Sequence, residues 1–261
     1  MKKALTIAGS DSGGGAGIQA DIKTFSAFGV FGMSVITSVT AQNTLVVCGV
    51  HEIPPEFVGK QMNAIFSDMG ADGIKTGMLS NAGIVETVAN KLMECKPYFV
   101  VVDPVMIAKG GGILLKKDAV QSLKNRLLPE ATLVTPNIPE AEILSGLTIT
   151  SVEEMKAAAK AIVKTGCSAV LIKGGHLEGE AIDLLYTGEE YHFFRSERIH
   201  TKNTHGTGCT YSAAILSNLI LGHPLAEAVR ISKAYITEAI RHSLDIGEGH
   251  GPLNHFVRIA R

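Results

Sequence analysis

The chain has 261 residues, 46% of them hydrophobic, which suffices for one large α/β domain or two small ones and argues against disorder. Its net charge is −1, it lacks tryptophan and only 5% of its residues are aromatic, so we expect no nucleic-acid partner. No run approaches the roughly 18 apolar residues that a membrane span needs, so we expect no membrane association.

Strand and helix patterns alternate along most of the chain. Short β-branched runs predict strands, and apolar residues at three- and four-residue steps predict helices. In chain order, the sequence predicts a strand at residues 5–8, a helix at 17–28, a strand at 35–39, a helix at 54–69, a strand at 73–76, a helix at 81–95, a strand at 99–102, a helix at 117–128, a strand at 132–135, helices at 139–145 and 152–165, a strand at 169–172, a hairpin at 181–186 and 190–194, and helices at 210–221 and 225–243. With no linker or internal repeat, this order predicts one doubly wound α/β domain over residues 1–261, with a mostly parallel sheet flanked by helices on both faces.

The four cysteines indicate a cellular compartment. Cys48, Cys95, Cys167 and Cys209 are far apart and form no C-x-x-C pair. That spacing favours reduced thiols in the cytoplasm over a disulfide framework or a zinc site. The N-terminus begins with charge, and its short apolar run passes directly into glycine and aspartate, so we expect a first strand there rather than a signal peptide.

Glycine clusters follow several of the predicted strands. They lie at residues 13–15, 110–112, 174–175 and 206–208. Ligands of doubly wound sheets bind at the carboxyl ends of the strands. Turns alone would explain one or two clusters, whereas four on one edge indicate backbone that approaches a polyanionic ligand or forms a mobile cover.

The last glycine cluster, at residues 206–208, lies at the predicted start of a helix. Gly206, Thr207 and Gly208 precede an apolar run with helical spacing, which places bare N–H groups and the positive end of a helix dipole in one loop. We interpret this loop as an anion hole. Cys209 lies in the same field, which favours its thiolate and makes it a candidate base or nucleophile. The alternative is a glycine-rich helix cap with a buried cysteine.

Three further strand ends carry charged or amide side chains. Asp103 follows a buried strand and would help to hold a metal–phosphate cluster, or would form an Asp-Pro turn. Asn137 and Glu140, three residues apart, would hold Mg²⁺ through water, or would cap a helix. Lys173 would contact a nucleotide phosphate, or would be a solvated lysine.

Two residues near the N-terminal strands are candidates for substrate contact. Gln42 can pair bidentately with a ring nitrogen and an adjacent exocyclic amine, although amides are also common in turns. Asp21 would accept a hydrogen bond from a substrate hydroxyl, or would favour the start of its helix. The sequence contains no P-loop motif, no clear G-x-G-x-x-G after the first strand and no G-x-S-x-G elbow.

Taken together, these motifs resemble the ribokinase-like superfamily, and closely its hydroxymethylpyrimidine (phosphate) kinase branch. The matching segments are residues 9–21, 40–44, 75–79, 102–105, 135–140 and 204–209, so the resemblance runs nearly end to end. It implies ATP-dependent phosphorylation of 4-amino-5-hydroxymethyl-2-methylpyrimidine and then of its monophosphate, in thiamine biosynthesis. It also implies a ribokinase-like fold and a homodimer.

The resemblance also implies roles for individual residues. Gln42 would read the aminopyrimidine edge, with Met78 packed near the ring and Gly9 and Asp21 in the substrate-binding motif. Gly206, Thr207, Gly208 and Cys209 would form the anion hole for the moving phosphoryl group. Asn137 and Glu140 would organise Mg²⁺, with Asp103 nearby and Lys173 near the phosphates of ATP.

The chain departs from the wider superfamily at its proposed base. Sugar-kinase members usually carry aspartate where Cys209 stands, whereas cysteine is normal in the pyrimidine kinases and in some pyridoxal kinases. Two alternatives stay open: a pyridoxal kinase, which Gln42 disfavours, and a non-catalytic pyrimidine sensor. The segment 106–109 lacks the second cysteine of some pyridoxal-active relatives, and the loop at 108–112 is a candidate lid.

Overall fold

The computed structural model describes residues 1–106, 116–175 and 181–257. The predicted lid at 108–112 and the glycine cluster within it lie outside those ranges. Within them, none of the helices is long and apolar enough to cross a membrane.

A single sheet organises the described residues. Its strands are β1 (Lys3–Asp11), β2 (Phe31–Gln42), β3 (Val47–Glu52), β4 (Gly73–Thr76), β5 (Val100–Val102), β6 (Leu133–Val134), β7 (Val170–Ile172), β8 (Ala181–Tyr186) and β9 (Tyr191–Ser196), and their spatial order is β3-β2-β1-β4-β5-β6-β7-β8-β9. The pairs from β2 through β7 are parallel, while β3, β8 and β9 are antiparallel to their neighbours. Parallel neighbours bring their carboxyl ends to one edge, where a site can form.

Helices cover both faces of this sheet. They are α1 (Gly17–Ala27), α2 (Pro55–Phe66), α3 (Ala82–Cys95), α4 (Lys117–Ser122), α5 (Ile138–Ser145), α6 (Val152–Val163), α7 (Thr207–Ile220) and α8 (Leu225–Arg241). A π-helical turn at Leu123–Leu127 and a 3₁₀ turn at Leu128–Glu130 continue α4. Helices α2 to α6 pack on one face of the sheet, and α1, α7 and α8 pack on the other.

Buried residues alternate between the two faces along the parallel strands. In β5, Val100 and Val102 belong to the core under α2 to α6, whereas Val101 belongs to the core under α7 and α8. Both faces of such a strand are buried, which is why short runs of β-branched residues form the middle of the sheet. This arrangement confirms the predicted doubly wound α/β architecture, in which helices flank a mostly parallel sheet on both faces.

The edge next to β2 differs from the prediction. The sequence predicts a strand only at 35–39, whereas β2 spans Phe31–Gln42 and pairs with β3, which the prediction missed. Most residues of β3 are exposed, so its sequence lacks the alternation of apolar and polar residues that marks a half-buried strand. The pairing extends β2 to Gln42, which places that amide at the edge of the sheet where ligands bind.

Candidate active site

One cavity of about 630 Å³ opens at the carboxyl ends of the parallel strands. Every residue predicted for the site except Asp21 lines it: Gly9, Gln42, Met78, Asp103, Asn137, Lys173, Glu140, Gly206, Thr207, Gly208 and Cys209. Gln42 and Cys209 therefore face the same space, although 166 intervening residues separate them in the sequence. A single small molecule can contact both.

The start of α7 forms one wall of the cavity. Thr207 is the first helical residue, and Gly206 caps the helix with a φ of 80°, in the left-handed region. A Cβ on Gly206 would lie 1.8 Å from the carbonyl oxygen of Gly15, so only glycine fits this close approach. The N–H of Thr207 donates to the Thr204 carbonyl oxygen at 3.3 Å, whereas the next two N–H groups, of Gly208 and Cys209, precede the first intrahelical bond, from Thr210 to Gly206. These two groups are the ones that an anion could use, in line with the prediction of an anion hole.

Cys209 differs from the prediction in its protonation. The sequence predicts a thiolate favoured by the helix field, but burial raises the pKa of the thiol to about 11, even though Lys75 acts in the opposite direction. The carboxylates of Asp21 and Asp103 raise it further. The expectation of a lowered pKa is therefore wrong: Cys209 is a thiol at neutral pH.

Asp21 also differs from its predicted role. Its side chain is fully buried and both of its oxygens lie within 3.0 Å of Lys75 Nζ, while the Thr6 hydroxyl donates to it at 2.6 Å. Asp21 is not among the residues that line the cavity, whereas its partner Lys75 is. The contacts with Lys75 and Thr6 therefore do not support a direct contact between Asp21 and the substrate. Burial lowers the pKa of Lys75, but the carboxylate outweighs it and keeps the pKa above its usual value.

Sequence reasoning assigned no role to Lys75, although a signal was present. The residue falls inside the short strand predicted at residues 73–76, and that strand is buried in the structure. A lysine at such a position requires a buried partner, because an uncompensated charge is costly in the core.

A second pair of opposite charges lies beside the start of α7. Lys173 Nζ donates to Asp103 Oδ1 at 2.9 Å, and the Thr135 hydroxyl donates to the same oxygen at 3.2 Å. A Cβ on Gly208 would lie 3.2 Å from Lys173 Nζ and 3.4 Å from Asp103 Oδ2. The pair is thus in contact with the candidate anion hole, and the predicted grouping of these residues is supported by their geometry.

Asn137 and Glu140 form a reciprocal cap at the start of α5. The N–H of Glu140 donates to Asn137 Oδ1 and the N–H of Asn137 donates to Glu140 Oε2, both at 2.9 Å. The capping alternative is therefore correct for the local structure. Both side chains nevertheless line the cavity, so capping fixes them there without removing them from the site.

The carboxylates beside this cap suit a hard cation. Burial raises the pKa of Glu140 to about 7; Lys173 opposes the shift and the charge of Asp103 adds to it. Two carboxylates close enough to repel one another are stabilised by a divalent cation. Among the described residues no three His, Cys, Asp or Glu side chains form a metal cage. The oxygen donors here fit Mg²⁺ in the mode where phosphates and water complete its coordination.

The glycine-rich loop after β1 does not offer its amides to a ligand. The N–H groups of Gly13, Gly15 and Ala16 donate to the Asp11 carboxylate at 2.8, 3.1 and 2.9 Å. The prediction that this cluster approaches a polyanion is therefore wrong, because an internal carboxylate occupies the position of the anion. A carboxylate two residues before a run of glycines is the signal in the sequence for such a turn.

Asp11 and His205 are further site residues that sequence reasoning missed. His205 Nε2 lies 2.8 Å from Asp11 Oδ2 and 3.3 Å from Gln42 Nε2. Burial acts to raise the pKa of Asp11, but the hydrogen bonds from His205 and the loop amides keep it below its usual value. The imidazole of His205 therefore links the ionised carboxylate of Asp11 to Gln42, the side chain predicted to recognise the substrate.

Another part of the cavity is lined by residues that belong to none of the motifs found in the sequence. Asp183 on β8 accepts from Gly174 N at 3.0 Å and from Lys233 Nζ at 2.7 Å. A Cβ on Gly174 would lie 1.8 Å from the Ile182 carbonyl oxygen, so this glycine is required for packing against β8. Ile199, Ile236 and Ile240 add an apolar surface of the kind that a flat ring system needs.

Three comparisons place the chain among known proteins. A family model described as phosphomethylpyrimidine kinase matches residues 11–254. The thiamine biosynthesis bifunctional protein ThiED of Geobacter sulfurreducens is 54% identical over 97% of this chain, which spans only 52% of that longer protein. The hydroxymethylpyrimidine/phosphomethylpyrimidine kinase of Bacillus subtilis is 51% identical over 98% of this chain and 95% of that one. A crystal structure of an ADP complex of Bacillus subtilis pyridoxal kinase superposes with a TM-score of 0.90 at 41% identity, covering 98% and 97% of the two chains.

Proposed function

The chain belongs to the phosphomethylpyrimidine kinase family, and from that premise we propose how its cavity carries out the reaction. It is a kinase that phosphorylates hydroxymethylpyrimidine and phosphomethylpyrimidine in thiamine biosynthesis. ATP is the phosphoryl donor, in keeping with the ADP bound to a similar kinase structure. The observation that carries the proposal is that Gln42 and Cys209 line one cavity, so the ring and the reacting hydroxyl of one substrate can reach both.

The substrate occupies the end of the cavity near β1 and β2. Gln42 reads the aminopyrimidine edge, since a primary amide offers one acceptor beside one donor. Gly9 and Met78 bound the ring position: a Cβ on Gly9 would lie only 3.3 Å from the Met78 sulfur. The adenine ring of ATP occupies the opposite, apolar end.

Phosphoryl transfer takes place at the start of α7. The hydroxymethyl oxygen attacks the γ-phosphorus, and the bond from that phosphorus to the β,γ-bridging oxygen breaks, which releases ADP. The N–H groups of Gly208 and Cys209 and the ammonium of Lys173 stabilise the charge on the transferred group. Bound by Glu140 and Asp103, with Asn137 alongside, Mg²⁺ would supply further charge neutralisation on the phosphates.

Cys209 accepts the proton of the hydroxymethyl group late in the reaction. Phosphoryl transfer is largely dissociative, so the nucleophile needs little activation before the phosphorus–oxygen bond forms. The thiolate is the minor form at neutral pH because burial raises the pKa of the thiol to about 11. Lys75, which lines the same wall, stabilises the thiolate when it forms. In the second phosphorylation the nucleophile is a phosphate oxygen, and a base matters little.

Assembly and location complete the proposal. We propose a cytoplasmic homodimer. The exposed side chains of Leu45, Val46 and Val50, next to or on the edge strand β3, support an interface there, since exposed apolar patches commonly mark contacts with another chain. Sedimentation velocity at micromolar concentration tests the dimer, and a single monomeric species would exclude it.

A coupled assay of ADP release tests the activity. The wild-type protein is given Mg-ATP with hydroxymethylpyrimidine, its monophosphate or pyridoxal, each in turn. We expect turnover of both pyrimidines and a lower kcat/KM for pyridoxal, which is the second candidate because of the structural similarity to a pyridoxal kinase. A preference for pyridoxal would overturn the assignment.

The variant Gln42→Met tests the substrate end separately from the nucleotide end. Because methionine offers no hydrogen bond, we expect kcat/KM for the pyrimidine to fall by about 100-fold while the KM for ATP stays unchanged. Equal losses for both substrates would show that Gln42 acts on the fold rather than on the pyrimidine.

A further inference from the structure

The Gln42 amide lies between two side chains that can fix its orientation. Its nitrogen lies 3.3 Å from His205 Nε2, and its oxygen lies 3.2 Å from the Thr40 hydroxyl. Rotation by half a turn about the last side-chain bond exchanges the two atoms, and hydrogen-bond partners decide between the two orientations.

The position of the proton on His205 follows from Asp11. The carboxylate accepts hydrogen bonds from three backbone N–H groups of residues 13–16 and lies 2.8 Å from His205 Nε2. An ionised carboxylate has no proton to donate, so Nε2 must carry one. Nε2 carries this proton whether or not Nδ1 is also protonated. That N–H is directed at Asp11, so Nε2 has no lone pair to accept an N–H from Gln42 at 3.3 Å. The amide oxygen, which can share the N–H with Asp11, is therefore the better neighbour of Nε2.

The Thr40 hydroxyl favours the other atom of the Gln42 amide, its nitrogen. This hydroxyl has one proton and two acceptors within reach, the carbonyl oxygen of Ser10 at 3.0 Å and Gln42 Oε1 at 3.2 Å, and we assign the proton to the shorter contact with Ser10. The Thr40 oxygen is then left with lone pairs toward Gln42, and lone pairs prefer to face an N–H. Both neighbours thus favour the same orientation of the amide: oxygen toward His205 and nitrogen toward Thr40.

We propose that His205 and Thr40 hold the Gln42 amide in this single orientation and thereby make the site select 4-amino pyrimidines over 4-oxo pyrimidines. The inference rests on the proposed function of Gln42. His205 and Thr40 are positioning residues, since they act on the substrate through the amide.

The selection follows from the edges of the two ring types. A 4-amino pyrimidine presents a ring nitrogen that accepts beside an amine that donates. The 4-oxo ring presents a ring N–H that donates beside a carbonyl that accepts. A free amide would pair with either edge by turning over. A fixed amide has one lone pair and one N–H left for the ligand. It therefore pairs with the edge of the 4-amino ring, whereas on the 4-oxo ring its N–H faces an N–H and its lone pair faces a lone pair.

Kinetics with two matched pairs of variants test the proposal. The measured quantity is the ratio of kcat/KM for 4-amino-5-hydroxymethyl-2-methylpyrimidine to that for its 4-oxo analogue. His205→Leu and Thr40→Val remove the two fixed groups, and we expect each to lower the ratio about 10-fold, with the KM for ATP unchanged. His205→Gln keeps an N–H at similar reach and Thr40→Ser keeps the hydroxyl, so both should keep the wild-type ratio. Melting temperatures identify any variant that is not folded.

Nitrogen-15 NMR of the histidine rings gives a readout that does not depend on activity. The signal of Nε2 of His205 should show a bound proton in the wild-type protein without ligand. A bare Nε2, or an unchanged substrate ratio in folded His205→Leu and Thr40→Val, would overturn the proposal. Absence of turnover of the amino pyrimidine by the wild-type protein would instead refute the proposed function, and the NMR result would still decide the position of the proton.

Discussion

Substitution of Gly206 by alanine tests whether the anion hole depends on one close backbone contact. Gly206 has a φ of 80° and precedes α7 directly. Its Cα faces the carbonyl of Gly15, and an added Cβ would lie 1.8 Å from that oxygen. Two independent penalties follow, one from the backbone conformation and one from the collision.

The two penalties differ in size and in what they affect. The left-handed conformation costs an alanine about 1–2 kcal/mol, which corresponds to a melting temperature lowered by roughly 2–8 °C. The collision is relieved only if the loop at 13–17 and the start of α7 separate until the contact grows from 1.8 Å to at least 3.0 Å. A displacement of about 1 Å at a catalytic group can reduce kcat by about 100-fold, so we expect Gly206→Ala to lose activity well beyond its loss of stability.

Gly29→Ala provides a matched control. Gly29 has a φ of 72°, lies outside the cavity, and an added Cβ there would meet no atom within 4 Å. It therefore carries the conformational penalty without the collision, and its kcat should equal that of the wild type. The assay is ADP release at saturating substrates, with thermal unfolding measured on both variants. If Gly206→Ala kept wild-type kcat and were destabilised no more than Gly29→Ala, the reasoning about the close contact would be refuted.

Three other predictions concern buried titratable groups. Lys75→Met leaves the Asp21 carboxylate buried without its partner, and we expect a loss of about 3–5 kcal/mol in urea unfolding, which adding Asp21→Asn should largely restore. Cys209→Ala should lower kcat of the first phosphorylation about 100-fold with little change in KM. Because burial raises the pKa of the thiol to about 11, the wild-type rate should rise between pH 7 and about pH 9 as the thiolate fraction grows. A parallel rise in the rate of the variant would argue against a role of Cys209 as base. Burial lowers the pKa of His255 from 6.5 to about 4, so below pH 6.5 the unfolded chain binds a proton that the native state does not. The free energy of unfolding should therefore fall by up to about 3 kcal/mol toward pH 4. His255→Gln should remove this pH dependence.

The architecture was predictable because its strands and helices bury apolar residues at regular spacing. In β4, for example, the predicted and observed limits are both Gly73–Thr76. The strand β3 escaped prediction because its side chains are mostly exposed, and an exposed edge strand is held by backbone hydrogen bonds that leave no pattern in the sequence. Periodicity reports burial, so elements without burial are the ones it misses.

The two differences at the site have a common cause. The sequence predicts a substrate contact for Asp21 from its motif and a thiolate for Cys209 from its place at a helix start. Their surroundings are instead dominated by burial and by Lys75, which comes from β4. The sequence separates these residues widely, so the dielectric surroundings and the ion pair are products of the fold and cannot be obtained from local spacing.

The pairing of charges around the cavity explains why glycines rather than lysines mark the anion hole. Lys75, Lys173 and Lys233 line the described wall, and each lies 2.7–2.9 Å from an oxygen of a buried aspartate. Their positive charge is therefore largely compensated before a nucleotide binds. In the proposed reaction, a triphosphate would then draw most of its stabilisation from groups that carry no matching carboxylate, namely the backbone N–H groups that begin α7 and a divalent cation that arrives with it. Ion pairs of this kind hold the lysines in place, so that the charge of Lys173 adds to the larger contribution that we expect from the preorganised backbone dipoles.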